Sequence, residues 1–292
     1  MTLTLGIDGG ASATKWALRK EDGSFIEGKS KPIDGHIYRE SSRIQLSEVL
    51  TEINHSVDSD KVVAIYAGIT GIGAESIEET KAIFTTFFPG ALVKIVIDME
   101  LGYRAHFNLG QGIFLYSGTG SIAVHMTIDN KTIRAGGWGY LLGDEGGGYW
   151  IGLQGIRHTV SILDKRSEID PLSQRIMSTL GVNDWDGIKA FVYSRDRSAI
   201  ASLAQDVINL ALSGDPASKQ IVTQASIHLG DLVRDIDSLV ETKNLPVVLG
   251  GGISEGGQFI RDAISTHVGR AITLSRVNMA KRAAELAVNS AK

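Results

Sequence analysis

The sequence predicts an α/β fold in two domains. Short apolar, β-type runs ending in glycine-rich turns recur near the start, in the middle and towards the end of the chain. Between them lie stretches with apolar residues at helical spacing. A chain of 292 residues, 43% hydrophobic and 21% charged, is long enough to bury two cores. The three turns are LGIDGGASATKWAL from Leu5, LYSGTGSIA from Leu115 and VVLGGGISEGG from Val247. Together they read as a split nucleotide site, because residues that accept positive φ let backbone N–H groups approach phosphate oxygens with no Cβ in the way. Taken singly, each also reads as an ordinary tight turn.

The elements follow in order. Residues 3–8, 14–20 and 24–30 read as three antiparallel strands, with Glu21-Asp22-Gly23 bending the second hairpin. Ile44, Leu46, Val49, Leu50 and Ile53 then recur at helical spacing behind Ser41 and Ser42, which are suited to cap that helix. A buried-type strand is expected at 62–66, a helix at 76–88 and a strand at 92–97 that delivers Asp98 at its carboxyl end. Open α/β sheets bind ligands at that end, so Asp98 is a candidate site residue; it also suits the N-cap of a helix starting near Glu100. A second strand system at 113–128 and 132–135 repeats the opening pattern. Residues 146–240 are mainly helical, with amphipathic runs at 198–212 and 217–240 and one or two short helices at 182–197. A strand at 246–249 leads into Gly250-Gly251-Gly252 and a helix from about Gly256, and NMAKRAAELAVNS closes the chain as a helix.

Composition narrows the function. Net charge is −4 and no dense Lys/Arg stripe is present, so neither nucleic acid nor a membrane surface is expected as a partner. MTLTLGID already reads as a strand, with no basic leader or long apolar span, which predicts a cytoplasmic protein. The chain has no cysteine, which removes disulfides, thiolate zinc and cysteine-held clusters. His125, His158, His228 and His267 lack ligand spacing and are assigned no metal. Trp185, Phe191 and Tyr193 read as core.

The three turns, Asp8 at the end of the first strand and the segment GGWGYLLGDEGGGYWIGLQGIRH from Gly136 to His158 carry a resemblance. The chain resembles the actin-like ATPase superfamily of sugar kinases, and within it the N-acetylglucosamine kinase branch grouped with the BadF/BadG/BcrA/BcrD ATPases. The likeness spans nearly the full length. It implies two ribonuclease H-like domains with an interdomain cleft, at 1–110 and 111–276, with a closing helix at 277–292 packed back on the first. It implies ATP and Mg²⁺ as cofactors, with Asp8 orienting the metal. Gly9, Gly10, Ser12, Thr14, Lys15, Gly118, Thr119, Gly251, Gly252 and Gly256 are then the nucleotide contacts. Asp98 is the base that takes the proton of the attacking sugar hydroxyl. Ser121, Ile122, Gly137, Trp138 and Asp144 face the sugar, Trp138 with its flat apolar face and Asp144 as an acceptor from ring hydroxyls. Glu145 either braces its turn through backbone N–H groups or touches sugar or metal.

One departure bears on the substrate. Where relatives specific for N-acetylglucosamine carry an asparagine, this chain has Asp34-Gly35-His36-Ile37-Tyr38, and His36 is taken as a sugar-side contact. The expected activity is ATP-dependent phosphorylation of N-acetylglucosamine or glucosamine at the 6-hydroxyl by a homodimer. N-acetylmuramic acid and glucose stay open as acceptors. So does a non-catalytic sugar or nucleotide sensor on the same fold, although such a protein would not need Asp8, Asp98 and Asp144 together.

Overall fold

A computed structural model describes residues 3–10 and 12–290. Its contacts divide the chain into two units, Met1–Phe107 with Arg276–Lys292 and Asn108–Ser275. The first unit runs β1 (Leu3–Gly9), β2 (Thr14–Arg19), β3 (Phe25–Ser30), α1 (Glu40–Ser56), β4 (Val62–Ile69), α2 (Ile77–Phe87), β5 (Leu92–Ile97) and α3 (Asp98–His106). The second runs β6 (Ile113–Ser117), β7 (Ser121–Met126), β8 (Thr132–Gly136), α4 (Gly148–Asp164), α5 (Pro171–Leu180), α6 (Trp185–Ser194), α7 (Arg197–Ala201), α8 (Ala204–Leu212), α9 (Pro216–Leu239), β9 (Val247–Gly250), α10 (Gly257–Val268) and β10 (Ile272–Leu274). Helix α11 (Met279–Ser290) returns to the first unit; residues 291 and 292 of the closing segment lie outside the described residues.

In the first unit the sheet order is β3-β2-β1-β4-β5, antiparallel across β1 to β3 and parallel from β1 through β4 to β5. Strand β1 is buried along almost its whole length, as a central strand covered on both faces must be. One core joins Leu5, Ile7 and Ile65 to Leu46, Leu50 and Ile53 of α1 and to Phe84 of α2. A second joins Tyr66, Val96 and Leu101 to Ala283 and Ala287 of α11. Small residues let α11 lie directly on the sheet: a Cβ on Gly6 would stand 2.1 Å from the Ala280 carbonyl oxygen and 2.2 Å from the Ala284 nitrogen. The Thr4 hydroxyl donates to the Ala284 carbonyl at 2.8 Å.

The start of α1 differs from expectation. The helix begins at Glu40 behind Arg39, which gives no side-chain cap, and Ser42 is buried inside it. The Arg39 N–H donates to His36 O at 2.8 Å and the Arg43 N–H to Arg39 O at 3.2 Å, so a backbone turn runs straight into the helix and no serine cap is required.

In the second unit the order is β8-β7-β6-β9-β10, the same arrangement with the same parallel and antiparallel pairs. Leu115, Ile151, Val207, Leu229, Val233 and Leu249 belong to one core under α4, α8 and α9. Aspartates start four of its helices: Asp170, Asp184, Asp196 and Asp215 accept from the N–H three residues on, at 2.8, 2.9, 3.0 and 2.8 Å. Three features depart from the sequence reading. Of Trp185, Phe191 and Tyr193, expected in the core, only Phe191 packs against it, while Trp185 and Tyr193 are exposed on α6. The single run expected at 198–212 is two helices, α7 and α8, because the Ile200 carbonyl is packed against Gly152 of α4, where a Cβ would stand 2.1 Å away. The three-residue β10 was not anticipated; it pairs with β9 and completes the sheet. Among the described residues no helix is long and apolar enough to cross a membrane.

Candidate active site

The first unit collects its candidate residues at the carboxyl ends of β1, β4 and β5. Ile69 is registered against both Gly9 and Ile97, so Asp8, Thr70 and Asp98 lie at neighbouring strand ends. Helix α3 starts at Asp98 itself, with Ile97 in the N-cap position, which corrects the expected start near Glu100. The Asp98 carboxylate still serves the helix end, since Oδ1 accepts from the Met99 N–H at 2.9 Å. The Thr70 hydroxyl also donates to it. Burial raises the Asp98 carboxyl above the ordinary carboxylate range against these two hydrogen bonds.

Asp8 is pushed up to about 6, chiefly by burial and further by Asp98, while Lys15 opposes the rise. Lys15 is exposed and faces Asp8 across the β1–β2 pair. Gly10 closes the turn by donating to Ala13 O at 3.1 Å, and Ser12 in the same turn is exposed. Thr14 is fully buried and its Oγ1 lacks a hydrogen-bond partner among the described residues. His36 is half-buried and follows an Asp34 turn in which Oδ1 accepts from the His36 N–H at 2.9 Å. Its ring packs over Gly71, with Nε2 3.0 Å from where a Cβ would be.

The second unit builds another cluster around the turn between β6 and β7. The segment from Asp144 to Tyr149 lies across it: the N–H groups of Gly148 and Tyr149 donate to Gly118 O at 2.8 Å and Thr119 O at 2.9 Å. Ser117 and Ser121 donate their hydroxyls to Gly146 O at 2.8 Å and Glu145 O at 2.7 Å. Both serines are buried, and those bonds commit them to holding the segment. The glycine turn after β9 lies against the same place: Gly251, with φ of 92°, has the Ser117 carbonyl oxygen 2.2 Å from where a Cβ would stand, so only glycine fits. Gly252 is exposed beside it. Gly256 is buried, with Ile260 filling its side-chain space, and packing accounts for it.

The loop after β8 carries the remaining candidates. Gly137 donates to Ser121 O at 2.9 Å, and the Ile122 side chain covers it. Trp138 is 64% exposed, with the Arg134 guanidinium 4.8 Å from its ring centre. Asp144 accepts from the Gly139 N–H at 3.2 Å and from the Ser121 N–H, so it clips this loop to the turn. Burial raises its carboxyl, and Arg197, at the start of α7, is among the groups that oppose the rise. Glu145 is exposed.

Among the described residues no three His, Cys, Asp or Glu side chains are grouped to hold a metal ion by themselves. Asp8 fits a divalent cation carried by a phosphate ligand, because a half-buried carboxylate beside a second carboxylate is a charge set that a cation relieves.

The sequence profile of the BadF/BadG/BcrA/BcrD ATPase family matches residues 5–286. The chain belongs to that family. This BadF/BadG/BcrA/BcrD-family chain is 28% identical over 277 residues to the N-acetylmuramic acid/N-acetylglucosamine kinase of Clostridium acetobutylicum, spanning 90% of the chain and 89% of that relative. A solved structure from Chromobacterium violaceum, provisionally designated an N-acetylglucosamine kinase, is 25% identical, superposes with a TM-score of 0.77 and spans 98% of this chain and 99% of the other. A ROK family glucokinase from Streptomyces griseus, solved with glucose and AMPPNP, shares the fold at 15% identity with a TM-score of 0.64, over 98% of this chain and 99% of its own. The α/β architecture of this family member is the ribonuclease H-like fold of the actin-like ATPases, in two units, as the sequence predicts.

Two residues in these clusters escaped the sequence reading. Thr70 had a local signal, since it ends an apolar strand just before Gly71, as Asp98 ends another. Arg197 had none, because only the packing of α7 on α4 brings it towards Asp144.

Proposed function

We propose that the protein is an ATP-dependent kinase for an amino sugar, N-acetylglucosamine or glucosamine, phosphorylating the 6-hydroxyl with Asp98 as general base. The observation that carries this reading is the half-buried Asp98 at a strand's carboxyl end, its carboxyl held above its ordinary range beside Asp8. Such a carboxylate is suited to accept a proton near neutral pH. Support for the amino-sugar acceptor comes from the named Clostridium relative, matched along nine-tenths of the chain.

Phosphoryl transfer passes through a loose transition state, so alignment and electrostatic stabilisation supply most of the rate. Phosphate contacts are assigned to Gly9, Gly10, Ser12, Thr14 and Lys15 in the first unit and to Gly118, Thr119, Gly251 and Gly252 in the second. Mg²⁺, held through Asp8, would neutralise charge on the transferring phosphates. Trp138 gives the sugar ring an apolar face, and Asp144, fixed by two backbone donors, accepts from its hydroxyls. His36 is assigned to the acetamide side.

The test is ADP release with ATP and Mg²⁺ across N-acetylglucosamine, glucosamine, N-acetylmuramic acid and glucose, followed by phosphorus-coupled NMR of the product. Amino-sugar-dependent turnover with the phosphate on O6 is expected. Hydrolysis indifferent to every sugar would overturn the kinase reading. N-acetylmuramic acid belongs in the panel because the Clostridium relative is named for it as well.

A further inference from the structure

Thr70 is a residue to which the function above gives no part. Three of its groups point to three different candidate segments. Its N–H donates to Gly9 O at 2.9 Å, at the glycine turn after β1. Its carbonyl accepts from the Gly35 N–H at 2.8 Å, in the turn that carries His36. Its hydroxyl donates to the Asp98 carboxylate. The register explains the meeting, since Ile69, one residue earlier, is paired with Gly9 on one side and Ile97 on the other.

We infer that Thr70 is a positioning residue that fixes the Asp98 carboxylate relative to the phosphate turn at Gly9 and the sugar-side turn at Gly35-His36. The inference rests on Asp98 being the base. The backbone bonds of Thr70 would survive a change of side chain, so the two turns are held whatever residue stands there. The hydroxyl is different, because it alone reaches the carboxylate. A carboxylate can rotate about its last bond, and the Met99 N–H engages only one of its oxygens. A second donor selects the rotamer that presents a lone pair to the acceptor hydroxyl. Loss of that donor therefore affects the reacting geometry more than the binding of either substrate.

The experiment compares wild type, Thr70→Val and Thr70→Ser in steady-state kinetics with the best amino-sugar acceptor, beside calorimetric sugar binding and thermal midpoints. Valine keeps the shape and loses the donor, whereas serine keeps the donor. A hydrogen bond to a charged group corresponds to about tenfold to a hundredfold in rate. Thr70→Val should lose kcat by that factor with sugar KM and Kd within about threefold of wild type, and Thr70→Ser should recover most of kcat. The inference is overturned if Thr70→Val keeps kcat within about twofold, if serine and valine lose equally, or if the loss falls on KM alone. An active wild type with an unaffected Thr70→Val removes only this inference. A wild type without sugar-dependent ADP formation removes the kinase reading and this inference with it.

Discussion

Replacing Asp8 by asparagine should make the protein more stable while costing it activity. The folded protein holds this carboxyl at about 6 against an ordinary value of 3.8, because burial disfavours the charged form and Asp98 adds to the effect. A carboxyl raised on folding contributes stability that is fully present below its unfolded value and is lost as pH rises through its folded value. By pH 7.5 the charged group therefore destabilises the fold by about 3 kcal/mol, and by pH 4.5 the penalty has shrunk to about 1 kcal/mol. Asparagine has nearly the same shape and is neutral at both values. Asp8→Asn should unfold at higher temperature than wild type at pH 7.5, with an advantage about three times smaller at pH 4.5. Scanning calorimetry in chelator, without nucleotide, measures the difference directly. The chelator matters because a cation at Asp8 would offset the penalty in wild type only. An advantage that is absent at pH 7.5, or that does not change with pH, would refute the reasoning.

Three further outcomes are expected. Asp98→Asn should lower kcat by at least about a hundredfold while the sugar Kd changes much less, since a base acts in the transition state; steady-state kinetics with calorimetric titration checks it. Asp144→Asn should raise the sugar KM by about tenfold and leave the ATP KM near wild type, since the amide oxygen can still accept from the backbone donors; equal damage to both would show that the turn clipped to Gly139 and Ser121 had collapsed. Asparagine is the variant of choice there because Asp144 has φ of 65°, which asparagine tolerates and alanine does not. Gly6→Ala should cost about 1–3 kcal/mol by driving α11 off β1, visible as a lower thermal midpoint and faster hydrogen exchange in residues 279–290.

Several elements were legible because the force that forms them is local. Strands β1 to β3 and β6 to β8 announce themselves through apolar runs broken at glycine turns, and α9 through an amphipathic period behind Asp215 and Pro216. Asp98 could be singled out because the end of an apolar strand is recognisable wherever the strand lies in the sheet. Strand β10 escaped because three residues carry no period, and its identity as a strand comes from its partner β9. The break between α7 and α8 escaped for a related reason, since the 198–212 run keeps its helical spacing while α4 redirects it.

By itself, the sequence determined the α/β class, the repeated turn pattern and the chemistry of the side chains at strand ends, because periodicity, turn residues and residue type are properties of short stretches. Only the tertiary structure decided the meetings. The Thr70 hydroxyl reaches Asp98, Asp98 adds to the rise that burial gives the Asp8 carboxyl, and Ser117 and Ser121 are bound to the Asp144–Tyr149 segment; all depend on sheet register and helix packing between residues far apart in the chain. Such contacts leave no mark in local pattern, since burial and hydrogen-bond partners are set by what the rest of the fold places next to a residue.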